Sequence, residues 1–141
     1  EGLRMINIFI SCSSKDHVFI KTVIDNMTDL TDKYNLIYFM QPYNVDTPME
    51  LILNRLGEAD LFIVFISNNS LDSIFVKAEM EEAVRLSRLG VIKDICSIII
   101  DPEIIAAQDY RIPEYFLNSR IFYTQSPFMA IELIKDFIFS Y

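Results

Sequence analysis

Five short apolar runs punctuate the chain, at residues 5–10, 34–39, 61–66, 95–100 and 120–123. The first four are continuous and rich in Ile, Val and Phe. Strands buried on both faces of a parallel sheet carry that pattern. Between the runs, apolar residues recur at helical spacing. After Ser13-Ser-Lys-Asp16, which has the spacing of a capping box, Val18, Phe19, Val23, Ile24, Met27 and Leu30 follow in that period. Thr47-Pro48-Met-Glu50 predicts a second helix, with Thr as cap, Pro first and Glu third, stopping near Gly57. Ser126-Pro127 opens a last helix carrying Ile131, Ile134 and Ile138. This alternation predicts an α/β fold: a five-stranded parallel sheet with helices on both faces. In such sheets ligands collect at the carboxyl ends of the strands, here residues 11–16, 40–46, 67–73 and 101 onward. Residues 101–118, with two prolines, carry no clear period.

One residue breaks the pattern. Ser73-Ile-Phe-Val-Lys-Ala-Glu79-Met80 follows the third run and reads as the start of a helix. At about 100° per residue, Phe75, Val76, Ala78, Ala83, Leu86 and Leu89 fall on one arc, with Glu79 near its middle. Lys77, Glu81, Arg85 and Arg88 lie opposite. A carboxylate on a core-facing stripe needs a partner or a purpose. It is either a structural acid, held by Lys15, Arg120 or backbone donors, or a functional one. Glu82, one turn on, is its rival.

Length and composition narrow the classes. A chain of 141 residues, 52% hydrophobic, reads as one domain over 1–141 with a large core. Met5 suits a natural start, with residues 1–4 an appended remnant; a domain cut from a longer protein fits equally. No secretory leader is visible and no apolar run approaches the ~20 residues of a membrane span. The net charge of −8 argues against nucleic-acid partners and against contact with an anionic membrane. Cys12 and Cys96 show neither pairing nor metal spacing, which suits reduced thiols inside a cytoplasmic protein. No metal site is expected, and the single His17 gives no basis for Ser–His or Cys–His catalysis.

The loops at the strand ends supply candidate chemistry. Ser11-Cys-Ser-Ser-Lys-Asp16 offers hydroxyls and one cation beside a helix start, suited to a phosphate. Its glycine-free sequence excludes a P-loop or dinucleotide fingerprint, and ordinary turn chemistry explains it as well. The loop at 40–46 is long for its type, with Tyr43 at its tip, and fits a lid, an assembly surface or a variable surface loop.

Three segments together resemble a Toll/interleukin-1 receptor (TIR) domain. Met5-Ile-Asn-Ile-Phe-Ile-Ser-Cys-Ser-Ser-Lys-Asp16 looks like the family's first box. Ala59-Asp60-Leu-Phe-Ile-Val-Phe-Ile-Ser67 looks like its third strand. Ser73-Ile-Phe75-Val-Lys-Ala-Glu79-Met80 looks like its Ser-x-Trp-x-x-x-Glu-Leu segment. The resemblance implies a flavodoxin-like fold and, as in many members, hydrolysis or cyclisation of NAD in immune or antiphage signalling. NAD is then substrate, and no cofactor is required. It implies Glu79 as the catalytic residue, Phe75 as the flanking aromatic, and Ser11, Ser13 and Lys15 along the nucleotide. Tyr43 sits in the segment matching the family's gating loop, and the expected partners are other TIR domains or further copies of this chain. The chain departs from the family in lacking Trp, with Phe75 in its place, and in having Cys12 where Tyr is usual. Two other functions stay open: a non-catalytic interaction module, and a nucleoside deoxyribosyltransferase-like enzyme, whose related sheet also uses a Glu at an N-glycosidic bond. A phosphoacceptor receiver domain is disfavoured, because Ser67 ends the third strand where an Asp would be needed.

Overall fold

The computed structural model describes residues 4–30, 32–39 and 48–141. Five parallel strands form one sheet in the order β2-β1-β3-β4-β5. They are β1 (Ile6–Ser11), β2 (Tyr34–Tyr38), β3 (Leu61–Ile66), β4 (Asp94–Ile99) and β5 (Arg120–Tyr123). Each coincides with a predicted run to within a residue at either end. The order is that of flavodoxin-like folds.

Two cores sandwich the sheet. Helices α1 (His17–Asp25) and α5 (Pro127–Phe139) cover one face through Ile20, Val23, Ile134 and Phe137, against Ile8, Ile10, Ile63 and Ile98. Helices α2 (Met49–Leu56) and α4 (Ile74–Arg88) cover the other through Ile52, Leu56, Val76, Met80 and Ala83, against Phe9, Phe62, Val64 and Ile99. Strand alternation separates the two sets, and β3 at the centre is fully buried along all six residues. Burial of each large apolar side chain contributes about 1.5–3 kcal/mol, so this strand anchors the domain.

β2 departs from the prediction of burial on both faces. It is an edge strand, with Tyr34 and Ile37 buried and Asn35 and Tyr38 exposed. α2 starts one residue later than its proline implied. Pro48 takes the half-in cap position with extended backbone, and Met49 is the first helical residue. Thr47, its predicted cap, lies outside the described residues, as does the loop carrying Tyr43. The stop at Gly57 is as expected. No helix among the described residues is long and apolar enough to cross a membrane.

The polar loop after β3 holds a further short helix, α3 (Asn68–Leu71). Ser67 and Ser70 form a reciprocal capping box there, a use of two serines that helical periodicity does not register. Ser67 Oγ also donates to Asp16 Oδ2 at 2.5 Å. Ser67→Ala therefore loses a cap and a cross-loop bond together. The expected destabilisation is about 1–2 kcal/mol, read as a lower urea midpoint at unchanged slope.

Candidate active site

The site is built where β1 ends. Ser11 is the last residue of β1 and shares a sheet face with Phe9, the face that α4 covers. Ser73 starts α4 by accepting from the Val76 N–H at 3.3 Å, which sets the phase of the helix. Val76, Glu79, Met80, Ala83 and Leu86 then turn inward. The buried stripe is rotated from the predicted arc: Met80 joins it, Ala78 is partly exposed, and Leu89, the C-cap, is 64% exposed. Glu79 remains inside it, 5% exposed.

Ser11 Oγ donates to Glu79 Oε1 at 2.5 Å across 68 residues of sequence. Neither Lys15 nor Arg120 is its partner; Arg120 stands over the Phe137 ring and 3.9 Å from Asp94. Among the described residues, then, Glu79 is buried without a cation. Burial pushes its pKa from 4.5 up to about 7, against the opposing pull of the Ser11 hydroxyl. Ser11→Ala is expected to raise the Glu79 proton affinity further. A carboxyl titration followed by 13C NMR would read this as a midpoint displaced to higher pH. Glu82, the rival acid, is partly exposed and accepts from Arg85 at 2.6 Å and 2.9 Å, and that pairing holds its pKa below the usual value.

One turn before Glu79, Phe75 lines a cleft of about 330 Å³ together with Ser13, Ser14, Lys15, Asn69, Asp72, Ser73 and Ile74. Ser13, Lys15 and Phe75, singled out separately in the sequence, thus meet at one cavity. Glu79 and Ser11 are not on its lining. Residues four apart on a helix are neighbours on one face, so a ligand held against Phe75 lies about 6 Å along the axis from Glu79. Oε1 is engaged by Ser11, and Oε2 has no hydrogen bond to a described residue.

Asp16 plays a part that its spacing did not reveal. Its spacing predicts the far end of a capping box, yet Ser13 Oγ accepts instead from the Lys15 N–H at 3.2 Å. The Asp16 carboxylate reaches across to Ser67 Oγ and to Asn69 Nδ2 at 2.8 Å. This ties the β1 loop, with Ser13 and Lys15, to the β3 loop and fixes the two walls of the cleft relative to each other. Neighbouring Cys12 is 8% exposed, and burial, then the charges of Glu79 and Asp16, push its thiol up to about 12. That thiol is not a nucleophile at neutral pH. Among the described residues, no group of three or more His, Cys, Asp and Glu is gathered as a metal would require.

No family model and no curated protein sequence matches the chain. Among solved structures, it is similar to the Clostridium botulinum CMP N-glycosidase BcmB, with a TM-score of 0.57 and 19% identity. The match covers 92% of this chain and 98% of that one. At that identity the likeness is one of fold.

Proposed function

We propose that this protein is a nucleotide N-glycosidase, cleaving the bond between a base and its ribose with Glu79 as the catalytic carboxylate. The observation that carries this reading is Glu79 itself: buried at the carboxyl end of the sheet, oriented by one hydroxyl, beside a polar cleft. A buried structural acid is usually held by a cation or by backbone donors, whereas Glu79 has the Ser11 hydroxyl alone among the described residues. The similar fold of a CMP N-glycosidase supports the reaction class.

Within that class the substrate we propose is NAD, as the TIR resemblance implies. The C1′–N bond breaks heterolytically and its electron pair leaves with nicotinamide, which departs neutral. A strong general acid is therefore unnecessary. The ribose left behind carries oxocarbenium character. Ionised Glu79 accepts hydrogen bonds from ribose hydroxyls and stabilises that charge as it develops. Water then adds to C1′ and loses a proton, giving ADP-ribose; attack by an adenine nitrogen instead gives a cyclic product. The positive charge of bound nicotinamide also favours the ionised form of an acid whose pKa lies near 7. Ser13 and Lys15 line the phosphate side, and Phe75 flanks the ribose. Association with further TIR domains, through the segment that includes Tyr43, and an immune signalling role belong to the same proposal.

A second reading is a mononucleotide N-glycosidase acting on a substrate such as CMP, favoured by the fold match. Chromatography of the bases released from NAD, nicotinamide mononucleotide and CMP separates the two. The proposal expects nicotinamide with ADP-ribose or a cyclic isomer. Cytosine alone would shift the substrate, and release of no base would remove the enzyme.

A further inference from the structure

Asp72 is a wall shared by three clefts. One is the cleft against Phe75. The second, about 430 Å³, is lined by Asn68, Glu103, Gln108, Asp109 and Tyr110 among others. The third, about 500 Å³, adds Lys77 and Met80 and again includes Tyr110. Tyr110 lines both of the last two and is 94% exposed.

Single exposed aromatics are common on surfaces. This one stands beside an arginine with several side-chain partners. Arg111, the next residue, donates to Asp72 Oδ1 at 2.9 Å, to Asn68 Oδ1 at 2.9 Å, and to both carboxylate oxygens of Asp109 at 2.8 Å and 3.0 Å. Its backbone N–H donates to Asp109 Oδ1 as well. Asp109 and Arg111, on either side of Tyr110, are thereby tied to each other and to the two ends of α3. A ring held on a fixed backbone loses little freedom when a flat ligand stacks on it.

We propose that Tyr110 and the groove along Asn68, Glu103 and Asp109 form a subsite for the distal nucleoside of a dinucleotide, the adenosine half of NAD. The proposal rests on the NAD reading above and assigns it a second binding region. The chemistry of the groove selects this half. Exposed Glu103, with Oε1 accepting from Asn68 Nδ2 at 3.2 Å, offers its other carboxylate oxygen to a ribose hydroxyl or an exocyclic amine, and Tyr110 offers a face to a base. Arg111, the groove's one cation among the described residues, is neutralised by Asp72 and Asp109, so the groove has little to attract a phosphate. Lys15, in the adjoining cleft, does. Consecutive residues Asn68 and Asn69 line the two cavities, so the ligand passes between them within the width of one residue.

The test compares base release from NAD and from nicotinamide mononucleotide, which lacks the adenosine half. Tyr110→Ala is expected to lower the ratio of the two kcat/KM values about tenfold, through the KM for NAD. Tyr110→Trp, which keeps a stacking face, is expected to retain the ratio. Titration with ADP-ribose reads the groove without chemistry, and Tyr110→Ala should weaken that binding by a similar factor. A ratio and an ADP-ribose affinity both insensitive to Tyr110 would overturn the subsite while leaving catalysis by Glu79 standing. Tyr110-dependent ADP-ribose binding with no base released from either nucleotide would overturn the catalytic reading and keep the groove. Insensitive binding together with no release would overturn both.

Discussion

Glu79→Gln is expected to make the protein more stable at pH 8, by about 3 kcal/mol, and to leave its stability nearly the same at pH 4. The sign follows from the proton. In the unfolded chain Glu79 ionises at its ordinary 4.5; in the fold, burial raises this to about 7. The native state therefore holds the proton more tightly. The contribution of this residue to stability is fully present below pH 4.5 and is lost as pH rises through about 7. At pH 8 the fold carries a buried anion whose one hydrogen bond comes from Ser11. Gln has the same shape, keeps an acceptor for that hydroxyl, and has no charge to desolvate. Urea denaturation at the two pH values measures the difference. A variant less stable than the parent at pH 8 would mean that the carboxylate is a structural strut. A group that destabilises its own fold at working pH is the usual signature of a functional site.

The second large effect is on the pH profile. Only the ionised carboxylate stabilises an oxocarbenium, so kcat/KM for base release should be level above pH 7. Below that it should fall about tenfold per pH unit, roughly a hundredfold by pH 5. Ser11 holds the ionised form down in pKa, so Ser11→Ala should move this limb to higher pH, in step with the carboxyl titration. A profile flat from pH 5 to pH 8 would separate the activity from Glu79.

Much of this architecture is legible in the sequence because parallel strands are nearly pure apolar runs. Residues 61–66 and 120–123 are strands to the residue. Glu79 is legible because one polar side chain on an apolar arc stands out whichever way the arc is rotated by a residue. Other features carry no local signal. The Ser11–Glu79 bond depends on which face of β1 lies beneath α4, and that is set by strand order. The same order makes β2 an edge, although its composition resembles that of the inner strands. Asp16 has good capping spacing, yet its carboxylate finds Ser67 and Asn69 across the sheet end. The bond to Ser67 prevails over local capping because that hydroxyl is buried away from water. Tyr110 carries no sequence signal, since its surroundings depend on the bonds by which Arg111 joins its own loop to α3.

The most direct measurement is nicotinamide release from NAD at pH 8 by concentrated protein, with Glu79→Gln beside it. The account predicts release by the parent and a loss of two to three orders of magnitude in the variant, while the variant stays folded. Equal release by both proteins would contradict it.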